Sequence, residues 1–449
     1  LGAARESDTL TFMMLDETQR PPMAHSTHAR LPEVSHWSEK EGISFGWQCL
    51  VFLCVLAAIF SRRPDMFLHA QFYAEDGTCW YAQAYNFHWL HSLLIQQAGY
   101  MQTFPRLVAG LTLLFPIRFA PLLMNVAGAL IQVLPVTALL SSRCRTFGTL
   151  PMRILMAGIY VAMPDASEIH VVVTNAQWHL VVLELLLAFG VAPRTWLGRA
   201  CDVALFAVGS VSGPFSIIML PFTLFYWWRR REQWTLVISA LLLAGGLWEL
   251  STILHFPRPH SYLAASPTTL IRIIGGDIIL AGMTAWRTLP TRVPVFFMAM
   301  GALFGGVVIA FGFLRGGLSF RLMIIFSGLF LAVALRDPLI GRDPNQGLWS
   351  SLVVDFGCRY FFYPLLVFLW SAVWCVFQDK VRIMRLAGYC VLGTLVLGVV
   401  RDWEYPPMKD HHFPAYIEQL NKAKAGTLVQ IPIDPDGWEM DLVKAAPGK

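Results

Sequence analysis

From about residue 43 to residue 400 this 449-residue chain is a succession of long apolar runs separated by short polar breaks. No other feature constrains its fold as strongly. A run of roughly twenty apolar residues crosses the hydrocarbon core of a bilayer as a helix. Helices are the expected spanning form because each satisfies its own backbone hydrogen bonds where no water is at hand. The runs are too long and too uniformly apolar for the alternating strands of an outer-membrane barrel. The expected fold is therefore all-α and polytopic, with roughly 11 to 13 crossings.

The first apolar segment covers about Ile43 to Phe60 and ends at Arg62-Arg63. Further segments fall at about 104–115, 119–140, 151–163, 177–192, 200–211, 214–228, 234–253, 293–313, 319–335, 359–377 and 386–400, with a weaker one near 271–286. Some are short and broken only by Pro or Gly, as at Ser212-Gly213-Pro214, so re-entrant pairs are an open alternative. Residues 1–42 are polar and without periodicity, and are expected to form a disordered arm. Residues 401–449 are expected to form a small extracytoplasmic segment. In it Val429-Gln-Ile-Pro-Ile-Asp-Pro-Asp-Gly-Trp438 reads as a strand followed by a turn.

The net charge of +5 comes from basic residues near segment ends, which read as topology signal and not as a nucleic-acid-binding face. Arg194 with Arg199, Arg229-Arg230-Arg231, Arg315 with Arg321, and Lys380 with Arg382 and Arg385 mark one face as cytoplasmic. Arg62-Arg63 falls on the opposite face and departs from this scheme. Arg143 and Arg145 obey it only if one of the segments at 104–115 and 119–140 does not cross. The chain is placed as a multi-pass protein of the inner (cytoplasmic) membrane with its active face outside.

Charges are rare, at 14% of residues against 56% hydrophobic. An adjacent acid pair, Glu75-Asp76, nonetheless sits in an aromatic-rich outer loop from Pro64 to Thr103. Short helices at the membrane interface are expected in that loop. Two neighbouring carboxylates at a membrane edge repel each other and lose hydration. Either could act as a base on a hydroxyl while the other orients it or holds a divalent cation, Mg or Mn. A second cluster, Asp165-Ala-Ser-Glu168-Ile-His170 followed by Thr174-Asn175-Ala-Gln177-Trp178-His179, places amide and imidazole groups beside an aromatic plate, as a sugar or polar head group requires. Arg359-Tyr360, with Pro364 about one turn on, puts a guanidinium at a helix mouth where it can grip a phosphate by two prongs. Arg106 and Arg272 follow the same logic. Nucleotide-binding loops are missing from every strand-to-helix junction.

In combination these features resemble the GT-C superfamily of membrane glycosyltransferases. The shared elements are a first membrane helix, a large outer loop with an acid pair at Glu75-Asp76, many further helices, Arg359-Tyr360 opening a late helix, and a small terminal segment. The resemblance covers roughly residues 43 to 440, and the short tail departs from members with large soluble domains. It implies Asp76 or Glu75 as the catalytic base or metal-linked acid and Arg359 at the donor phosphate. It implies a polyprenyl-phosphate-linked sugar as donor and a saccharide, lipid or protein as acceptor. Two other readings stay open. One is a transporter or flippase of lipid-linked saccharides, using Glu184, Glu249 and Asp277 for coupling. The other is a polysaccharide polymerase or ligase.

Overall fold

The computed structural model describes residues 42–258, 262–339, 347–354, 358–378 and 380–446. The expected N-terminal arm lies, through residue 41, outside them. The protein is mostly helical. Among the described residues seven helices are long and apolar enough to cross a membrane: Phe45–Arg62, Ile117–Leu140, Gln233–His255, Val295–Arg315, Leu318–Arg336, Cys358–Phe377 and Arg382–Arg401. Leu150–Ala162 and Val173–Ala188 are apolar but shorter.

Where the expected segments differ from these helices, local chemistry gives the reason. The run at 104–115 folds as a ten-residue helix, Thr103–Thr112, which is about 15 Å long and half of what a hydrocarbon core needs. The runs at 200–211 and 214–228 become Trp196–Gly209 and Phe215–Arg230, parted at Gly213, whose φ of +116° is open to glycine and not to other residues. The weak run near 271–286 holds a wide-turn π-helix, Arg272–Ala281.

One helix forms the centre. The run Cys358–Phe377 is 89% buried, whereas the other six long helices are between 17% and 50% buried. The rest therefore surround it and turn apolar side chains outward, the distribution expected of helices solvated by lipid.

At one end of the bundle the connections are tied to one another. Arg62 is 1% exposed, and its guanidinium donates to the carbonyls of Val161 (2.8 Å), Met163 (3.2 Å), Asp402 (3.1 Å) and Trp403 (3.3 Å). The cation is thus a pin between the end of helix Leu150–Ala162 and the connection after Arg401. Arg287 sits between Asp165 (3.2 Å) and Asp402 (3.5 Å). At the other end Arg143 holds Asp202 at 2.6 Å, and Thr146, Tyr226 and Ser319 all donate to the carbonyl of Phe189. Arg143 therefore lies with the basic clusters that mark the opposite face. Of the two segments at 104–115 and 119–140, the helix Thr103–Thr112 is the one too short to span a bilayer.

The connection 163–175 dips into the bundle. His170 bonds Gln132 and the Ile59 carbonyl. The carbonyl of Val171 presses on Gly128, where a Cβ would come within 1.8 Å of it. Beyond the last long helix, Phe413–Lys422 precedes an antiparallel hairpin, Leu428–Ile433 with Trp438–Val443, in the register Leu428↔Val443 to Ile433↔Trp438. Its inward side chains Val429, Ile431, Ile433, Met440 and Leu442 form one apolar cluster with Phe72, Trp80 and Tyr81 of the first loop. That loop contains the expected short helices, Asp76–Tyr81, Ala82–Phe87 and Trp89–Ser92.

Substituting Arg62→Met strands four carbonyls at once and is expected to destabilise the fold by at least about 3 kcal/mol, while Arg62→Lys recovers part of the loss. Denaturation of the purified protein in micelles reads this. A midpoint equal to wild type in Arg62→Met would show that these carbonyls do not depend on the guanidinium.

Candidate functional site

The acid pair is positioned from outside the loop. The backbone N–H of Ala74 donates to the carbonyl of Asp434 in the hairpin turn, and Ala74 takes a left-handed conformation with φ of 44°. The π-helix that begins at Asp76 then sends the two acids in different directions. Asp76 turns inward and is 1% exposed. Its carboxylate accepts from the N–H of Thr174 (2.7 Å) and of Val173 (3.3 Å), so it caps the turn that opens helix Ala176–Ala188. Glu75 turns toward a cavity. Its Oε2 accepts from the Thr174 hydroxyl (3.4 Å), which itself accepts from Trp80 Nε1 (2.7 Å). Both acids therefore hold one residue, Asp76 by its backbone and Glu75 by its side chain.

The cavity has a volume of about 530 Å³. Its polar end is lined by Glu75, Gln102, Asn175, Gln177, Trp178, Arg359 and Tyr360. Its apolar arm runs between helices Gln233–His255 and Leu318–Arg336, along Ile253, Leu254, Phe330 and Val333. Leu254 is 70% and Val333 49% exposed, so this arm reaches the outer apolar surface of the bundle. Between the two ends stand Tyr100 and Arg258. The Arg258 guanidinium lies 4.8 Å from the Tyr100 ring, and its Nε donates to the Ala98 carbonyl. Burial pushes the Tyr100 hydroxyl up to about 12. Arg258 and Arg359 draw it down, and Tyr360 and Glu75 push it further up. Those groups thus converge on one ring.

Of the residues singled out in the sequence, Glu75, Asn175, Gln177, Trp178, Arg359 and Tyr360 meet around this cavity. Trp178 lies among Phe215, Phe330, Tyr360 and Tyr363 at centroid distances of 5.3 to 5.8 Å. Arg359 is already engaged, since it pairs with Glu168 and donates to the Leu339 carbonyl. Four residues are placed elsewhere. Asp76 is behind the wall, with both oxygens on backbone N–H groups. His179 is 3% exposed and bonds Tyr160 (2.7 Å) and the Ile169 carbonyl (3.0 Å), a core role. Arg106 is fully buried behind Trp80, 4.7 Å from its ring, with Nη1 on Gln83 (2.7 Å). Arg272 bonds the carbonyls of Pro290 and Val293 and ties the π-helix to the loop after it.

Sequence reasoning missed Gln102, Tyr100 and Arg258. Arg258 follows an apolar run directly, as an ordinary interfacial anchor would. Gln102 is brought inward only because Glu249, deep in its own helix, accepts from the N–H of Met101 (3.0 Å) and of Gly213 (3.2 Å). The residues do not fit the expected divalent cation. Asp76 has spent its oxygens on N–H groups, and among the described residues no three His, Cys, Asp or Glu side chains gather as ligands.

Asp76 should make stability depend on pH. Burial, and then the neighbouring Glu75, push its carboxyl from 3.8 up to about 8, against the opposing hydrogen bonds from Thr174 and Val173. A group whose folded value is raised favours the fold in its protonated form. That contribution is complete below about 3.8 and is lost as pH climbs to about 8. The melting temperature is thus expected to fall across this window in wild type and to fall less in Asp76→Asn. Parallel profiles would contradict the assignment. No protein-family model matches the sequence, and no curated protein matches it.

Proposed function

We propose that this protein is a membrane glycosyltransferase of GT-C type. It moves a sugar from a polyprenyl-phosphate donor to an acceptor hydroxyl at the extracytoplasmic face of a cytoplasmic membrane. One observation carries the reading. A single cavity joins a carboxylate, Glu75, to guanidinium groups, Arg258 and Arg359, and continues as an apolar arm to the outer surface of the bundle. A lipid phosphate bearing a sugar has the same three parts in the same order.

The chemistry follows from that order. The apolar arm takes the prenyl chain, and the phosphate lies at Arg258, with Arg359 held in place by Glu168. The acceptor oxygen attacks the anomeric carbon from the side opposite the phosphate. The new C–O bond forms as the bond to the phosphate oxygen breaks, so the centre inverts. The acceptor proton passes to Glu75, and the electron pair leaves with the phosphate, where the guanidinium charge stabilises it. A phosphate is a good leaving group and asks for no general acid. Asp76 is not the base in this scheme; it fixes Thr174, which orients Glu75.

The transport reading loses one of its carriers, because Glu249 is tied to two backbone N–H groups that hold the cavity wall.

A strain lacking the chain is expected to accumulate unused polyprenyl-phosphate sugar, and complementation reads each variant. Glu75→Gln should lower turnover about 10²- to 10⁴-fold. Arg258→Ala should weaken turnover through the donor, and Asp76→Asn should retain it. Wild-type turnover by Glu75→Gln would remove the proposed base.

A further inference from the structure

We propose that the polar end of the cavity is a subsite for an uncharged, hydroxyl-bearing sugar ring, and that Gln102, Gln177 and Trp178 select it against sugars carrying a carboxylate or a phosphate. This rests on the donor reading above and goes beyond it by naming the class of glycosyl group.

Gln102 Oε1, Gln177 Oε1 and Trp178 Nε1 have no hydrogen-bond partner among the described residues. Their residues are 5%, 7% and 3% exposed, and all three line the cavity. Buried polar atoms are rarely left unpaired, and three on one cavity wall mark a place where a ligand completes the bonding. They lie close together. Gln177 and Trp178 are consecutive at the start of helix Ala176–Ala188. A Cβ on Gly213 would sit 3.5 Å from Gln177 Oε1, and Gly213 shares the Glu249 carboxylate with Met101, the neighbour of Gln102.

The types of these atoms define the partner. Two acceptors and one donor are matched by hydroxyl groups, each of which donates and accepts. The match survives a reversal of either amide, because a hydroxyl serves C=O and N–H alike. With the amide oxygens facing the cavity, a carboxylate or phosphate, which can only accept, would leave both carbonyl oxygens unpaired. It would also face Glu75, joined to this segment through Thr174, at short range. Three guanidinium groups line the cavity. Arg359 is committed to Glu168 and Leu339, Arg258 stands beside Ile253 and Leu254, where the lipid phosphate belongs, and Arg336 is exposed at the end of the helix that carries Val333. The Trp178 indole, caged by aromatic rings, adds a rigid edge at which one ring oxygen can accept.

The test compares three soluble donors on the purified full-length protein: farnesyl phosphate, its β-glucosyl ester and its β-glucuronosyl ester. The glucosyl compound is expected to bind at least about fivefold more tightly than farnesyl phosphate, the worth of one ordinary hydrogen bond, and the glucuronosyl compound no more tightly. Gln102→Leu and Gln177→Leu should each remove most of that gain and leave the affinity for farnesyl phosphate as in wild type, which also reports that the variants are folded. Equal affinity for the glucosyl compound and farnesyl phosphate, or a gain that survives both substitutions, overturns the subsite while the donor reading stands. A preference for the glucuronosyl compound overturns the selection for neutral rings. Failure of all three to bind, with Arg258→Ala indistinguishable from wild type, overturns the donor reading and the subsite with it.

Discussion

A carboxylate removed from water to hold two backbone N–H groups is the contact on which the arrangement depends. Asp76 joins the first loop to the turn that starts helix Ala176–Ala188. Everything chemical in the site is within a few residues of one side or the other of that joint: Glu75 on one, Thr174, Asn175, Gln177 and Trp178 on the other. The N–H groups of a helix start are unpaired by construction, so an acceptor oxygen such as that of the Asp76 carboxyl is their natural partner. What is unusual is the distance along the chain, nearly a hundred residues. A local cap would have ended the helix tidily but would have left the first loop free of it.

The same device recurs at larger scale. Arg62 collects four carbonyls from two connections, and Glu249 collects N–H groups from the first loop and from the break at Gly213. These polar groups can be buried because the backbone supplies their partners. An apolar bundle has few side-chain counter-ions to offer, and the peptide groups of irregular connections need partners as much as the charges do. The two shortages offset each other. That is how Arg62 and Glu249 tie these connections through backbone groups, beside the ion pairs that Arg287 and Arg359 make.

This also explains how much could be read from residues alone. Hydropathy reports transfer to lipid, so the long helices were legible, and the strand-and-turn pattern marked the terminal hairpin; at the cavity Glu75, Asn175, Gln177, Trp178, Arg359 and Tyr360 were legible from their chemistry. The departures share a cause. Asp76, Arg62 and Arg106 look like functional or topogenic charges in one dimension, and whether a charge faces a ligand or a distant carbonyl depends on contacts made across the whole chain. Arg258 was hidden for the opposite reason: a single basic residue after an apolar run is so common at interfaces that nothing distinguishes it until Tyr100 is seen beneath it. Segment length failed at Thr103–Thr112, where the apolar stretch is genuine but too short to span.

The hydrogen bond from Ala74 to Asp434 has a temporal meaning. The loop that carries Glu75 emerges early in synthesis, and the turn that sets its backbone emerges more than three hundred residues later. Until the hairpin has docked, the first loop lacks the neighbour that orients its acid. Completion of the cavity wall that carries Glu75 is therefore among the last events in the folding of the chain.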